Sequence, residues 1–138
     1  MVQKLVRYLM VIAVTTAAFT VTTGTAAQAI GGCATTAAIR SCVDHVPDSG
    51  QVRADFYLLS SPTSSVYSYR VFVVINNREI SKFPEKRRLT TVKRYCCWYQ
   101  PVRNLPPKAQ EAFTRIKVYN SNGVLHYSAD SPTIRYTE

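Results

Sequence analysis

From Val52 onward the apolar positions recur at every second residue. In Val52-Arg-Ala-Asp-Phe-Tyr-Leu58, Val52, Ala54, Phe56 and Leu58 fall on one face and Arg53, Asp55 and Tyr57 on the other. Tyr67 to Ile75 repeats the pattern with Tyr67, Tyr69, Val71, Val73 and Ile75, and Phe72 with Val74 make its second half apolar on both faces. A period of two, rich in β-branched and aromatic side chains, predicts strands and excludes helices. Asn76-Asn77 tolerates the positive φ of a tight hairpin, so Arg78 to Phe83 reads as the return strand, stopped by Pro84. Leu89 to Tyr99 predicts one long strand with Thr90, Val92, Cys96 and Trp98 opposite Leu89, Thr91, Tyr95, Cys97 and Tyr99. Three prolines make Pro101 to Pro107 a loop. Ala112 to Tyr119 follows with Ala112, Ile116 and Val118 inward, then the turn Asn120-Ser-Asn-Gly123, a return strand Val124 to Ala129 and a last strand Thr133 to Tyr136. Between Cys33 and Cys42 the pattern fits a helical turn and a strand equally.

Six or seven short strands at regular spacing predict an all-β fold, a small antiparallel β-sandwich of immunoglobulin-like connection, with a small β-barrel as the alternative. No repeat or linker interrupts them, so residues 30–138 read as a single β domain.

The first 29 residues have a different character. Lys4 and Arg7 precede an apolar stretch from Leu9 to Val21, and Ala27-Gln28-Ala29 ends a Thr/Gly/Ala segment. This is the layout of a secretory signal peptide, in a style like that of high-GC Gram-positive bacteria. The stretch is studded with Thr and too short to span a bilayer, so the mature form is expected to have no transmembrane span. A lipoprotein anchor at Cys33 is the lesser alternative, since Cys33 lies well past the apolar run. Cleavage leaves 109 of 138 residues, a chain small enough to need covalent reinforcement.

Four cysteines, Cys33, Cys42, Cys96 and Cys97, supply it. An even count in a short exported chain predicts two disulfides and no free thiol. A vicinal Cys96–Cys97 bridge departs from preferred disulfide geometry. The expectation is therefore two long-range bridges tying Cys33 and Cys42 to Cys96 and Cys97, one facing the core and one outward. Each would close more than fifty residues, about 4 kcal/mol by the chain-entropy model. There is no C-x-x-C, no His beside a Cys pair, and no metal or cofactor motif.

Removing Lys4 and Arg7 takes the formal charge from +9 to +7. Between Lys82 and Lys108, eight bases face one acid, Glu85, and the rest of the mature chain cancels. Lys86, Arg87, Arg88, Lys93, Arg94 and Arg103, with Trp98 among them, are the candidate contacts for an anionic extracellular partner: a wall polymer, a lipid surface or an acidic protein. Clustered cations attract polyanions and neighbouring aromatics stack. Nucleic acid is a further polyanion without a recognition motif of its own here. Alternatively Lys86-Arg87-Arg88 is a solvated hairpin tip that guards an edge strand, with Tyr95, Trp98 and Tyr99 in the core.

Catalytic candidates are thin. His45 and His126, with Glu79, Glu85 or Glu111 and an arginine, supply the parts of a ribonuclease-type acid/base site, but nothing in the sequence brings them together. An inhibitor or toxin-like module is the other alternative, offering Leu105-Pro106-Pro107-Lys108 or Ser61-Pro62-Thr-Ser-Ser65 to an extracellular enzyme. The expectation is a secreted, monomeric, non-catalytic binding module whose contact region is residues 82–108.

Overall fold

The computed structural model describes residues 31–61, 67–103, 105 and 110–136. The leader expected at residues 1–29 thus lies outside the described residues. Ten strands form among the described residues: β1 (Gly31–Thr36), β2 (Ile39–Val46), β3 (Gln51–Leu58), β4 (Tyr67–Ile75), β5 (Arg78–Ser81), β6 (Arg87–Leu89), β7 (Arg94–Pro101), β8 (Gln110–Tyr119), β9 (Leu125–Asp130) and β10 (Ile134–Tyr136). Among the described residues they make two antiparallel sheets, and no closed barrel is found.

One sheet runs β1-β2-β3-β7. The other is built on β8 and β4. β5 and β6 lie end to end along one edge of β4, and β10 and β9 do the same along β8. The chain crosses between sheets from β3 to β4 and from β7 to β8, with β3 beside β7 and β4 beside β8. That interlocked pair of crossings is the immunoglobulin-like connection, with β2, β3 and β7 in the A, B and E places and β4, β8 and β9/β10 in the C, F and G places. β1 is added outside the A place.

Turn chemistry fixes the hairpins. Asn76 and Asn77 hold φ of 48° and 66°, positive at both central positions as a two-residue turn between twisted strands requires. At the β8–β9 turn, Asn120 Oδ1 accepts from the backbone N–H of Asn122 and of Val124, each at 3.0 Å, and Gly123 supplies φ of 77°. The segment of uncertain period is the β1–β2 hairpin, turning at Ala37 with φ of 51°.

The core lies between the sheets. Val52, Ala54, Phe56 and Leu58 of β3 face Tyr69, Val71, Val73 and Ile75 of β4 and Ala112, Ile116 and Val118 of β8, all buried. Phe72 and Val74 are buried on the outer face of their sheet, where Arg70 and Lys117 lie across the Phe72 ring. No covalent bridge joins the sheets among the described residues. A buried polar link does: Ser41 Oγ of β2 donates to the Thr114 carbonyl of β8 at 3.3 Å, and the Thr114 N–H donates to Ser131 Oγ at 2.9 Å.

Three expectations are corrected. All four cysteines are bonded, but as Cys33–Cys42 and Cys96–Cys97. The register of the β1–β2 hairpin sets Cys33 directly opposite Cys42, with Cα atoms 4.1 Å apart. β7 is separated from β2 by β3, a gap of about 10 Å, whereas a disulfide bridges Cα atoms no more than about 7 Å apart. The long-range pairs are out of reach. Second, Leu89 to Tyr99 is not one strand. The chain bends at residues 90–93 and passes from one sheet to the other, β6 pairing with β4 and β7 with β3. The Tyr95 hydroxyl pins the bend, accepting from the Thr91 N–H at 3.1 Å and donating to the Thr91 carbonyl at 2.8 Å. Third, Cys96 and Cys97 do not split between core and solvent. Phe56 pairs with Tyr95 and Ala54 with Trp98, so β7 carries one residue more than β3 across this step. The bulge puts Tyr95 and Trp98 on the same inward side and leaves both cysteines exposed.

Candidate functional site

One side of the sandwich is open, where the free edges of β7 and of β5/β6 run alongside each other. Aromatic side chains fill the opening. Phe56 stacks on Tyr95 at 4.7 Å and on Trp98 at 6.0 Å and meets the Tyr69 edge at 5.1 Å, while Phe83 stands perpendicular to Tyr69 at 5.8 Å. Edge-to-face and stacked pairs of this kind add to what burial alone contributes. Burial raises the Tyr69 hydroxyl pKa, and the positive charge of Arg87 opposes the rise.

Cations rim this opening. The Arg87 guanidinium lies 4.3 Å from the centre of the Phe83 ring, and the Lys93 ammonium 5.1 Å from that of Tyr95. Lys82 reaches from the β5–β6 connection across to β7, donating to the Tyr99 carbonyl at 2.6 Å and to Gln100 Oε1 at 3.0 Å; burial lowers its pKa. Lys86 instead turns away from the opening, past β4, to sit 4.1 Å over the Tyr119 ring and donate to the Gly123 carbonyl at 2.7 Å. Arg88, exposed on β6 opposite Ser68, has no ion pair among the described residues.

The carboxylates are elsewhere. Asp44 pairs with Arg53, Asp55 with Arg94, Glu79 with Arg115 and Lys117, Asp130 with Arg115, and Glu111 with Arg135. Lys82, Lys86, Arg87, Arg88 and Lys93 have no carboxylate partner among the described residues. Cations held over ring faces or on carbonyls keep their charge uncompensated.

Of the residues expected to share a face, Arg87, Arg88, Lys93 and half-buried Trp98 come together at this edge, while Lys86 reaches past β4 to the Tyr119 ring and the β8–β9 turn. Arg94 does not join them either. It lies on the outer face of the β1-β2-β3-β7 sheet, bound to Asp55 through Nε and Nη2. Arg103 is at the far end of β7, where Nη2 donates to the Asp48 carbonyl at 2.8 Å and its stem packs over Gly50. Lys108 lies outside the described residues, as do residues 62–65 and 106–107 of the two candidate inhibitory loops. Sequence reasoning did not single out Lys82 as a strut between the sheets. Its place in the charge run was visible, but its partner on β7 was not.

The histidines sit at opposite ends. His45 stacks on Tyr136 at 4.4 Å, and His126 lies 5.7 Å from Tyr67 beside an end cavity of 200 Å³ lined by Leu58, Leu89, Val118 and Tyr127. His45 pairs with Val52, six residues along β3 from Leu58, a separation of about 20 Å. Among the described residues no group of three or more His, Cys, Asp or Glu converges as a metal site, and no helix is long and apolar enough to cross a membrane. Comparison with protein-family models, curated proteins and solved structures finds no match.

Proposed function

We propose that this protein is an exported, non-catalytic binding module that holds an anionic extracellular partner (a wall polymer, a lipid surface or an acidic protein) along the β6–β7 edge. One observation carries the reading: among the described residues four cations, Lys82, Arg87, Arg88 and Lys93, gather along one edge beside aromatic rings and without carboxylate partners, while five of the acids are paired on the outer faces. Export rests on the leader pattern of residues 1–29 and on two disulfides, which persist in oxidising compartments.

Retention of the disulfide-intact protein on heparin–agarose and on phosphatidylglycerol vesicles tests it. Binding is expected at low salt and should weaken steeply as salt rises, since each phosphate contact adds about −0.9 to the logarithmic slope measured on duplex DNA. Arg87→Glu with Arg88→Glu should cut that slope and leave the fold intact. Absence of retention on both supports at low salt defeats the proposal. A variant that aggregates yet binds as before would assign these cations to guarding the edges.

A further inference from the structure

The outer face of the β1-β2-β3-β7 sheet carries a second constellation, independent of the edge. The strand registers lay it out in three rows. Arg40, Tyr57 and Arg94 form the first, Cys33, Cys42 and Asp55 the second, and Gly31, Asp44, Arg53 and Tyr99 the third. Between them runs a groove of 360 Å³ lined by the Cys33–Cys42 bridge, Asp44, Arg53, Asp55, Tyr57 and Arg94. Small-molecule clefts start at roughly 300 Å³.

The charges lining this groove cancel. Arg53 Nη2 donates to Asp44 Oδ2 at 2.7 Å, and Arg94 donates twice to Asp55 Oδ2. A free anion would meet two carboxylates and a free cation two guanidinium groups, so neither sign is attracted. What stays available is directional hydrogen-bonding capacity. Oδ1 of Asp44 and of Asp55 accepts no hydrogen bond from the described residues, while Arg53 keeps Nε and Nη1 and Arg94 keeps Nη1. Asp55 is only 5% exposed, which fixes its carboxylate in the groove. The absent side chain of Gly31 keeps the Asp44 oxygen clear, because a Cβ there would lie 2.8 Å from Oδ1. Apolar surface adjoins them: the Tyr57 ring, whose one face Arg94 covers at 5.6 Å, and the Cys33–Cys42 bridge. Tyr99, 43% exposed beside Arg53, continues that surface.

Adjacent fixed donors and acceptors match hydroxyl groups, each of which gives and takes a hydrogen bond, and flat apolar walls match the C–H face of a pyranose ring. We propose that this groove binds a short neutral oligosaccharide.

Affinity electrophoresis of the disulfide-intact protein through gels holding soluble mannan, xylan, β-glucan, starch or galactan tests the proposal. Retardation by at least one polymer is expected, unchanged by added salt and by Arg87→Glu with Arg88→Glu, which separates it from the anionic edge. Titration with the matching oligosaccharide should show affinity at least about tenfold lower in Tyr57→Ala and several-fold lower in Asp44→Asn. Asp44→Asn, a half-exposed site, carries the test if Tyr57→Ala does not fold. Passage through all five gels without retardation overturns the proposal. So does retardation that both variants leave unaltered, which would put the sugar elsewhere on the molecule.

Discussion

The β6–β7 edge and the outer face of the β1-β2-β3-β7 sheet use arginine in opposite ways. On the outer face, Arg53 and Arg94 lie against Asp44 and Asp55, and the charge is consumed locally. At the edge, Arg87 and Lys93 lie against Phe83 and Tyr95, and the charge is left for whatever approaches. A cation on a ring costs little desolvation and loses no charge. A cation on a buried carboxylate becomes structural. The difference teaches that counting bases along the chain overstates a binding face, because the position of the acids decides which bases remain available.

Five experiments break or sharpen that contrast. The edge depends on its aromatic floor. Phe56 is fully buried against Tyr69, Tyr95 and Trp98, so Phe56→Ala should cost about 3–5 kcal/mol in denaturant unfolding. A change under about 1 kcal/mol would show that the rings do not support the edge. The face, by contrast, is stapled. Cys33→Ser with Cys42→Ser opens a bridge nine residues apart in sequence and should cost about 2–3 kcal/mol by chain entropy, less than a long-range bridge would. On the same face, Asp55→Ala strips the partner from Arg94, and calorimetry should record a loss of about 1–2 kcal/mol.

The fourth concerns acid. The hydrogen bond from Lys117, with Arg115 adding to it, holds the Glu79 carboxyl below its ordinary pKa. The stability this contributes is therefore present at neutral pH and disappears as the pH falls from the ordinary carboxylate range through the folded value. Glu79→Gln should flatten that acid limb of the melting curve, and a parallel curve would mean the pairing contributes nothing. The smallest effect belongs to the edge cations themselves. Arg87→Glu with Arg88→Glu should move the unfolding free energy by less than about 1 kcal/mol, as exposed charges do, and a larger loss would give β6 a structural role.

Much of the fold was legible in the chain. The alternation in Val52 to Leu58 named the inward residues of β3, and Tyr67 to Ile75 named both buried faces of β4, because period-two patterning records which side of a strand meets the core. The asparagine turns were legible for the same local reason. What escaped was non-local. Leu89 to Tyr99 keeps strand character throughout, so nothing in it marks the place where a tyrosine hydroxyl folds the chain from one sheet into the other. Cysteine pairing depends on which strands are neighbours, and that neighbourhood is set by topology. Arg87, Arg88, Lys93 and Trp98 were legible as one stretch, but Lys86, Arg94 and Arg103 left it because their partners, the Gly123 carbonyl, Asp55 and the Asp48 carbonyl, are distant in sequence. The groove residues were half visible: Arg53, Asp55 and Tyr57 alternate on the polar side of β3, and only the register adds Asp44 and Arg94.

The extra residue in β7 acts as a phase shifter for everything downstream on that strand. Before it, Tyr95 points inward; after it, Trp98 and Gln100 take over the inward positions that strict alternation would have given to Cys97 and Tyr99. Deleting either cysteine would restore the even count and leave the indole two residues from Tyr95, still on the inward side but without the bulge. The extra residue thus lets Cys96 and Cys97 both lie outside between two inward rings, an arrangement that replacing both with serine would keep and shortening the chain by one would remove.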